Sequence, residues 1–275
     1  MKTKTLLIAA AALAVGVISS QAQVYSQNVV GYMNTTIPAN GFQIIGSQLI
    51  GGSDVNATNG DINATLLTGL VSSPNDPPSS SSNSVVYVWN GSGYAKYFYF
   101  NQADATTWQG SPYPAGWYTD AGISANVYLS QGKSAFIQNH SGSPMTVTVV
   151  GTVFQGTNVS TINPGYNLVN LQAPVSTNLV VAGYGLPGNL TSSPLDPPDQ
   201  AHNDTLYAWS GSGYAKFYFF NQADATTWEG TPSPAGFYAD NGAPMPSSLY
   251  PTASQGFFLY HIGSPVSWTN SFSVQ

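Results

Sequence analysis

The sequence predicts an all-β protein made of two copies of one module, and three observations carry that expectation. Residues 89–122, beginning WNGSGYAKYFYFNQADATTW, return at an offset of 120 as residues 209–242, beginning WSGSGYAKFYFFNQADATTW, with 24 of 34 positions identical. A fixed offset of this kind marks a repeated structural unit. No stretch beyond the N-terminus sustains the 3.6-residue apolar period of an amphipathic helix. Short alternating apolar runs are instead punctuated by Gly, Pro and Asn, the pattern of strands and tight turns. Two tandem sandwich-like or jelly-roll-like units follow, residues 23–151 and 152–275, with a joint near Gly151 that could make them one pseudo-twofold body.

In chain order, residues 1–22 read as an export leader. Lys2 and Lys4 precede an apolar run from Leu6 to Ile18, and Ser20-Gln21-Ala22 has the small-x-small spacing of a cleavage site. The run is shorter than the roughly 20 residues a membrane-spanning helix needs. Cleavage after Ala22 gives a secreted chain, extracellular or periplasmic, starting at Gln23. Strands are expected at Val29–Thr35, Gly41–Ser47, Ala135–Asn139 and Met145–Phe154. Their second-copy counterparts are Tyr166–Leu171, Gly256–His261 and Val266–Val274. Asp61–Leu70 and Leu179–Leu186 have room for a helical turn each, cut short by Gly69 and Gly183.

The repeated segment itself reads as a hairpin, Val85–Trp89 and Tyr94–Asn101 across Asn90-Gly91-Ser92-Gly93. Asn-Gly supplies the positive φ such turns need. Ser210 in place of Asn90, with both glycines kept, favours a four-residue loop. Alternation puts Tyr94, Lys96, Phe98 and Phe100 on one face and Ala95, Tyr97, Tyr99 and Asn101 on the other. The Pro/Ser-rich stretches Pro74–Asn83 and Pro194–Asn203 are expected as exposed loops. Val29-Val30-Gly31 also matches Val149-Val150-Gly151 at the same offset.

Composition excludes some partners. Only 6% of residues are charged, and arginine is absent. Beyond the leader, Lys96, Lys133 and Lys216 stand against 11 acids. Such a chain cannot build the basic face that nucleic acid or an anionic membrane demands. Cysteine is absent, so neither disulfides nor thiolate metal sites enter. The rest of the polarity is amide and hydroxyl, with 13% aromatic residues. Surfaces of that kind suit uncharged polar partners such as glycans, and equally a self-adhering surface protein.

The segment Val24-Tyr25-Ser26-Gln27-Asn28-Val29-Val30-Gly31-Tyr32 resembles the mature N-terminus of a group of uncharacterised secreted bacterial proteins rich in β-structure. So do the strands Gly41-Phe42-Gln43-Ile44-Ile45, Gly165-Tyr166-Asn167-Leu168-Val169 and Gly256-Phe257-Phe258. The first-copy equivalent of the last, Gly132-Lys133-Ser134-Ala135-Phe136, departs from the usual spacing. The resemblance implies export and a β-rich repeat, and brings no activity or ligand.

Candidate site residues are of three kinds. Aromatic rings in the Pro/Gly-rich stretch after the hairpin, Trp108, Tyr113 and Trp117 with Trp228 and Phe237, are the expected ligand-facing platform for a polysaccharide. Sugar C–H faces stack on such rings. The changes of Trp117 to Phe237 and Tyr113 to Ser233 fit ligand-facing positions. Acids recur at Asp76/Asp196, Asp104/Asp224 and Asp120/Asp240, with Lys96/Lys216 placed to pair with Asp104/Asp224. Turn and cap chemistry explains them most simply; Ca²⁺ is the ion such oxygens would take, although the chain requires no cofactor. The second-copy loop crowds Asp196, Asp199, His202, Asn203 and Asp204, a set of oxygen and imidazole ligands for a divalent ion. His140 and His261 align through His-Ser-Gly-Ser-Pro and His-Ile-Gly-Ser-Pro as turn residues.

No nucleophile elbow, zinc-protease helix or phosphate loop is present. The expectation is a non-catalytic extracellular binder of polysaccharide or a matrix polymer, without membrane insertion. The alternative is a structural protein that associates with itself. A glycoside-active enzyme would need two carboxylates roughly 5–10 Å apart, with Asp104 and Asp224 the candidates.

Overall fold

A computed structural model describes residues 30–46, 48–50, 59–61, 70–130, 132–175, 179–180 and 185–273. The leader, the chain as far as Val29 and most of the two expected helical turns, Asp61–Leu70 and Leu179–Leu186, lie outside the described residues. The fold is all-β and antiparallel. The first half contains β1 (Val30–Ile37), β2 (Phe42–Gly46), β3 (Leu49–Ile50), β4 (Asn59–Asp61), β5 (Val85–Trp89) and β6 (Tyr94–Phe100). After a short helix α1 (Gln102–Gln109) come β7 (Gly116–Tyr118), β8 (Ser124–Ala125), β9 (Tyr128–Ser130), β10 (Ser134–Gln138) and β11 (Met145–Val153). The second half contains β12 (Gly156–Ile162), β13 (Gly165–Asn170), β14 (Thr205–Trp209), β15 (Tyr214–Phe220), helix α2 (Gln222–Glu229), β16 (Gly236–Tyr238), β17 (Gly256–His261) and β18 (Val266–Phe272). None of the described helices is long and apolar enough to cross a membrane.

Each half packs one sheet on another. In the first, β1-β11-β3 lies over β2-β10-β5-β6-β7-β8; in the second, the ribbon β12-β18 lies over β13-β17-β14-β15-β16. Period-2 alternation directs Ile37, Met145 and Val147 inward onto Ile45, Val86, Ala135 and Ile137. Ile162 and Trp268 do the same onto Val169, Leu206, Phe217 and Leu259. The hairpin registers repeat at the sequence offset, Trp89 facing Tyr94 and Trp209 facing Tyr214. The turn is the expected four-residue loop: Asn90 N–H donates to the Gly93 carbonyl at 3.0 Å, and Gly91 has φ 102°.

Pairing changes partner between Val153 and Gly156, a few residues past the expected joint at Gly151. β11 pairs with β1, and β12 with β18. Gly151 sits inside β11 directly opposite Gly31. Gly31 and Gly151, which the short sequence match aligns, are therefore pairing partners and not equivalent positions.

The two helices stand in the stretch after each hairpin that the sequence marks as loop-like, not in the segments expected to hold a helical turn. Each has eight residues with only one buried side chain, Ala105 or Ala225, so no apolar stripe announces it. Its ends do. Asn101 accepts the Asp104 N–H at 2.8 Å and donates its amide to Asp104 Oδ2 at 2.8 Å, a reciprocal cap. Gly110, at φ 69°, closes the helix. Ser72 Oγ adds a 2.5 Å bond to Asp104 Oδ2, and Ser192, Asn221 and Asp224 repeat the arrangement. Asp104 and Asp224 are thus helix N-terminal clamps. Lys96 does not pair with Asp104; its ammonium lies 5.9 Å from the centre of the Tyr87 ring.

The halves meet face to face. β2 and β10 lie against β13 and β17. Gly46 N–H donates to the Ser254 carbonyl at 2.7 Å, and Asn170 N–H to the Gly132 carbonyl at 3.1 Å, related positions in the two halves. Space is complementary across this contact. A Cβ at Gly46 would collide with the Asn170 amide, and one at Gly256 with Ser134 and Ile44.

Candidate functional site at the seam

The aromatic hairpins supply both the core and the seam. Tyr97 and Tyr99 turn into their own half beside Val86 and Ile137, while Tyr87 and Trp89 face the other half. There they join Ile44, Phe136, Leu168, Phe258, Tyr207 and Trp209 in one cluster. The two tryptophans exchange hydrogen bonds across it, Trp89 Nε1 donating to the Tyr166 carbonyl and Trp209 Nε1 to that of Phe42, both at 3.0 Å. Each indole meets the opposite half's phenylalanine edge to face: Trp89 with Phe258 and Trp209 with Phe136, both at 5.7 Å. Edge-to-face pairs of this kind contribute about 0.5–1.5 kcal/mol each beyond area burial.

At one rim of this cluster stand Tyr94 and Tyr214, each 5.0 Å from its own tryptophan and exposing 40% and 44% of its surface. Burial pushes both phenols above their ordinary range, and proximity to Tyr94 raises Tyr214 further. Tyr166, 43% exposed, lies on the second half against Tyr260 and Phe258. Beside it a cavity of about 330 Å³ opens between the halves, walled by Trp89 and Tyr166 and lined by Lys133, Ser134, Asn163 and Asn167. That volume falls at the lower end of small-molecule sites, about 300–1,000 Å³.

The expected platform is placed differently. Trp117 is 2% exposed and packs 5.5 Å from Tyr99; Phe237 is 5% exposed and packs 5.5 Å from Phe219. Both belong to short strands whose alternation turns them into the core, so neither offers a ring face to a polymer. Their divergence is a matched core exchange, Tyr99 with Trp117 against Phe219 with Phe237. Phe237 also lines a small cleft of about 150 Å³ with Pro234 and Met245. Trp108 and Trp228 are half-buried, each stacked at 4.4 Å on Phe100 or Phe220, which occupies one ring face. Tyr113 is half-buried against Tyr118.

The expected metal set does not assemble, and no group of three or more ligating side chains forms among the described residues. Asp196 is exposed, ahead of a cis proline. Asp199 and His202 pair with each other at 2.7 Å, both half in solvent, and the bond from His202 holds the Asp199 carboxyl below its ordinary range. Asn203 donates to the Ser193 and Phe219 carbonyls. Asp204 is fully buried and turns the other way, toward His261 Nδ1 at 2.7 Å.

That Asp204–His261 pair was not foreseen, because the two histidines were aligned with each other. Strand register instead matches His261 with Asn139, since Gln138 pairs with Val85 as Tyr260 pairs with Thr205. In the first half Asn139 donates to the Ser143 carbonyl at 2.8 Å, and Val71 N–H donates to Ser84 Oγ. In the second, His261 Nε2 donates to the Ser264 carbonyl at 2.7 Å, and Thr191 N–H donates to Asp204 Oδ2. Ile262 N–H fills Asp204 Oδ1 at 2.9 Å. A carbonyl only accepts, so Nε2 carries a proton, while Nδ1 and Asp204 Oδ2 share one hydrogen bond between them. A buried aspartate–histidine pair thus stands where the first half has a Ser–Asn pair. With Nε2 committed to a carbonyl and the ring 1% exposed, it is not placed as a general base.

The chain matches no family model, no curated protein and no solved structure.

Proposed function

We propose that the protein is an exported, non-catalytic binder of polysaccharide that holds its polymer at the seam between its halves. The observation that carries this reading is the pair Tyr94 and Tyr214. These repeat-related rings stay substantially exposed on one seam cluster, Tyr94 against Phe136 and Tyr214 against Phe258, while most of their aromatic neighbours are packed. Exposed rings backed by fixed tryptophans give a sugar ring a firm stacking surface at little entropic cost. The exposed Asn163 amide, in the cavity that Trp89 walls, provides an uncharged hydrogen-bonding partner.

The test is depletion from solution by a panel of insoluble polysaccharides. Tyr94→Ala with Tyr214→Ala should abolish depletion by the polymer that retains the wild type, with little change in melting temperature. Trp108→Ala with Trp228→Ala should lower stability and leave affinity intact, and EDTA should change nothing. Depletion that survives loss of both tyrosines overturns the seam reading.

A second reading, self-association, rests on a separate observation. The outward ladders of β1/β11 and β12/β18 carry no charged residue, and Val30, Tyr32 and Val159 expose 69%, 74% and 59% of their surface. Uncharged edge strands of this kind invite pairing with another chain. Mass that climbs with concentration, without depletion by any polymer, favours this reading.

A further inference from the structure

We propose that the cavity at the seam takes a carboxylate-bearing sugar unit, a uronate of an acidic polysaccharide, with Lys133 holding the carboxylate. This rests on the glycan reading above and adds the class of sugar.

Lys133 is unlike the other two lysines of the described chain. Lys96 lies by the Tyr87 ring and Lys216 sits 4.9 Å from the centre of Tyr218. Lys133 has neither a ring nor a carboxylate partner among the described residues, although it is half-buried and lines the cavity. Burial pushes its ammonium below the ordinary lysine range, the response of a cation removed from water without a counter-charge. An incoming carboxylate supplies that counter-charge in a partly desolvated place, where a charge-assisted hydrogen bond is stronger than in water.

The rest of the lining is neutral. Trp89 and Tyr166 wall the cavity and Asn163 brings an exposed amide, while Ser134 Oγ is packed onto Gly256 and the Asn167 amide is spent on backbone carbonyls. The cavity therefore combines a cation, one free amide, and aromatic walls from Trp89 and Tyr166. One carboxylate, a hydroxyl and an apolar ring face together answer that set. The position equivalent to Lys133 in the second half is Gln255, whose Oε1 accepts the Thr252 N–H, so the charged site occurs once per chain.

The probes are oligogalacturonate and its fully methyl-esterified form, identical except that the ester lacks the charge. Binding to the purified protein is followed by titration calorimetry and by tryptophan fluorescence. The acid should bind at least about tenfold more tightly than the ester, the scale of one charge-assisted hydrogen bond. Lys133→Gln, which copies the second half, should erase that ratio while Tyr94→Ala with Tyr214→Ala weakens both ligands. Equal binding of acid and ester, still dependent on the tyrosines, overturns the uronate and leaves the glycan reading standing. A preference for acid that survives Lys133→Gln overturns the role of this cavity. Lys133-dependent binding of the acid that ignores both tyrosines supports the cavity and removes the seam platform. Binding of neither probe by a protein that does bind a neutral polymer overturns the uronate alone, and binding of no glycan at all overturns both.

Discussion

Replacing His261 by Asn should destabilise the second half severely, and replacing Asp204 by Ser at the same time should repair most of the damage. The single change imports the first half's residue and keeps a donor for the Ser264 carbonyl. It leaves Asp204, 0% exposed, with its two backbone N–H groups and without the imidazole that bonded its Oδ2. Removing one partner of a buried pair costs about 3–5 kcal/mol where the group left behind must ionise out of water. With an m-value of about 2 kcal/mol/M in urea, the midpoint falls by about 1.5–2.5 M. The double variant recreates the Ser84–Asn139 arrangement, in which a hydroxyl accepts the strand N–H and an amide reaches the turn carbonyl. Its cost should be about 1–2 kcal/mol, so the two sites couple by at least about 2 kcal/mol. Urea titrations read by tryptophan fluorescence and circular dichroism measure this cycle. A His261→Asn midpoint within about 0.5 M of wild type, or a double variant no better than the sum of the singles, would refute the buried-pair account.

Three further outcomes are expected. Gly46→Ala should lower the melting temperature through its collision with Asn170, at a cost of about 1–3 kcal/mol, and Asn170→Ala should recover much of it in calorimetry. Trp108→Ala and Trp228→Ala should each remove a stack on a phenylalanine, costing about 1–3 kcal/mol, with helix loss visible by circular dichroism. The phenols of Tyr87, Tyr94, Tyr207 and Tyr214 have folded pKa values raised above the usual 10.0, chiefly by burial. Their contribution is fully present below pH 10 and lost as pH rises through the raised values. Through these phenols stability should fall in alkali, and an absorbance titration should show them ionising late, together with unfolding.

Much of the fold was legible because its signals are local. Asn90-Gly91 fixed a turn, alternation from Tyr94 to Asn101 assigned faces correctly, and the repeat carried both assignments across to the second half. The helices escaped because an eight-residue helix burying one alanine has no stripe, although Asn101 and Asp104 form a cap visible in the letters NQAD. Trp117 has the letters of a loop, since Pro114 and Gly116 flank it, and a three-residue strand leaves almost no pattern. The seam was not legible for a different reason: Trp89 meets Phe258 only through contacts far apart in the chain, which no short window contains. The pairing of Asp204 with His261 was hidden by one residue. The second-half turn is shorter, so matching Gly-Ser-Pro aligned His261 with His140 when the strand register aligns it with Asn139.

The packing of Gly46 beneath Asn170, and of Gly256 beneath Ser134, has a bearing on assembly. Two first halves placed together would set glycine against glycine and serine against serine; two second halves would drive asparagine into asparagine. Like halves fit badly and unlike halves fit well, so the contact discriminates between partners that share most of their hairpin sequence. Covalent linkage then guarantees one of each. Tyr94 and Tyr214 are consequently always presented as a matched pair, and the single lysine-bearing cavity has one fixed position relative to them, giving the molecule a direction along any polymer it holds.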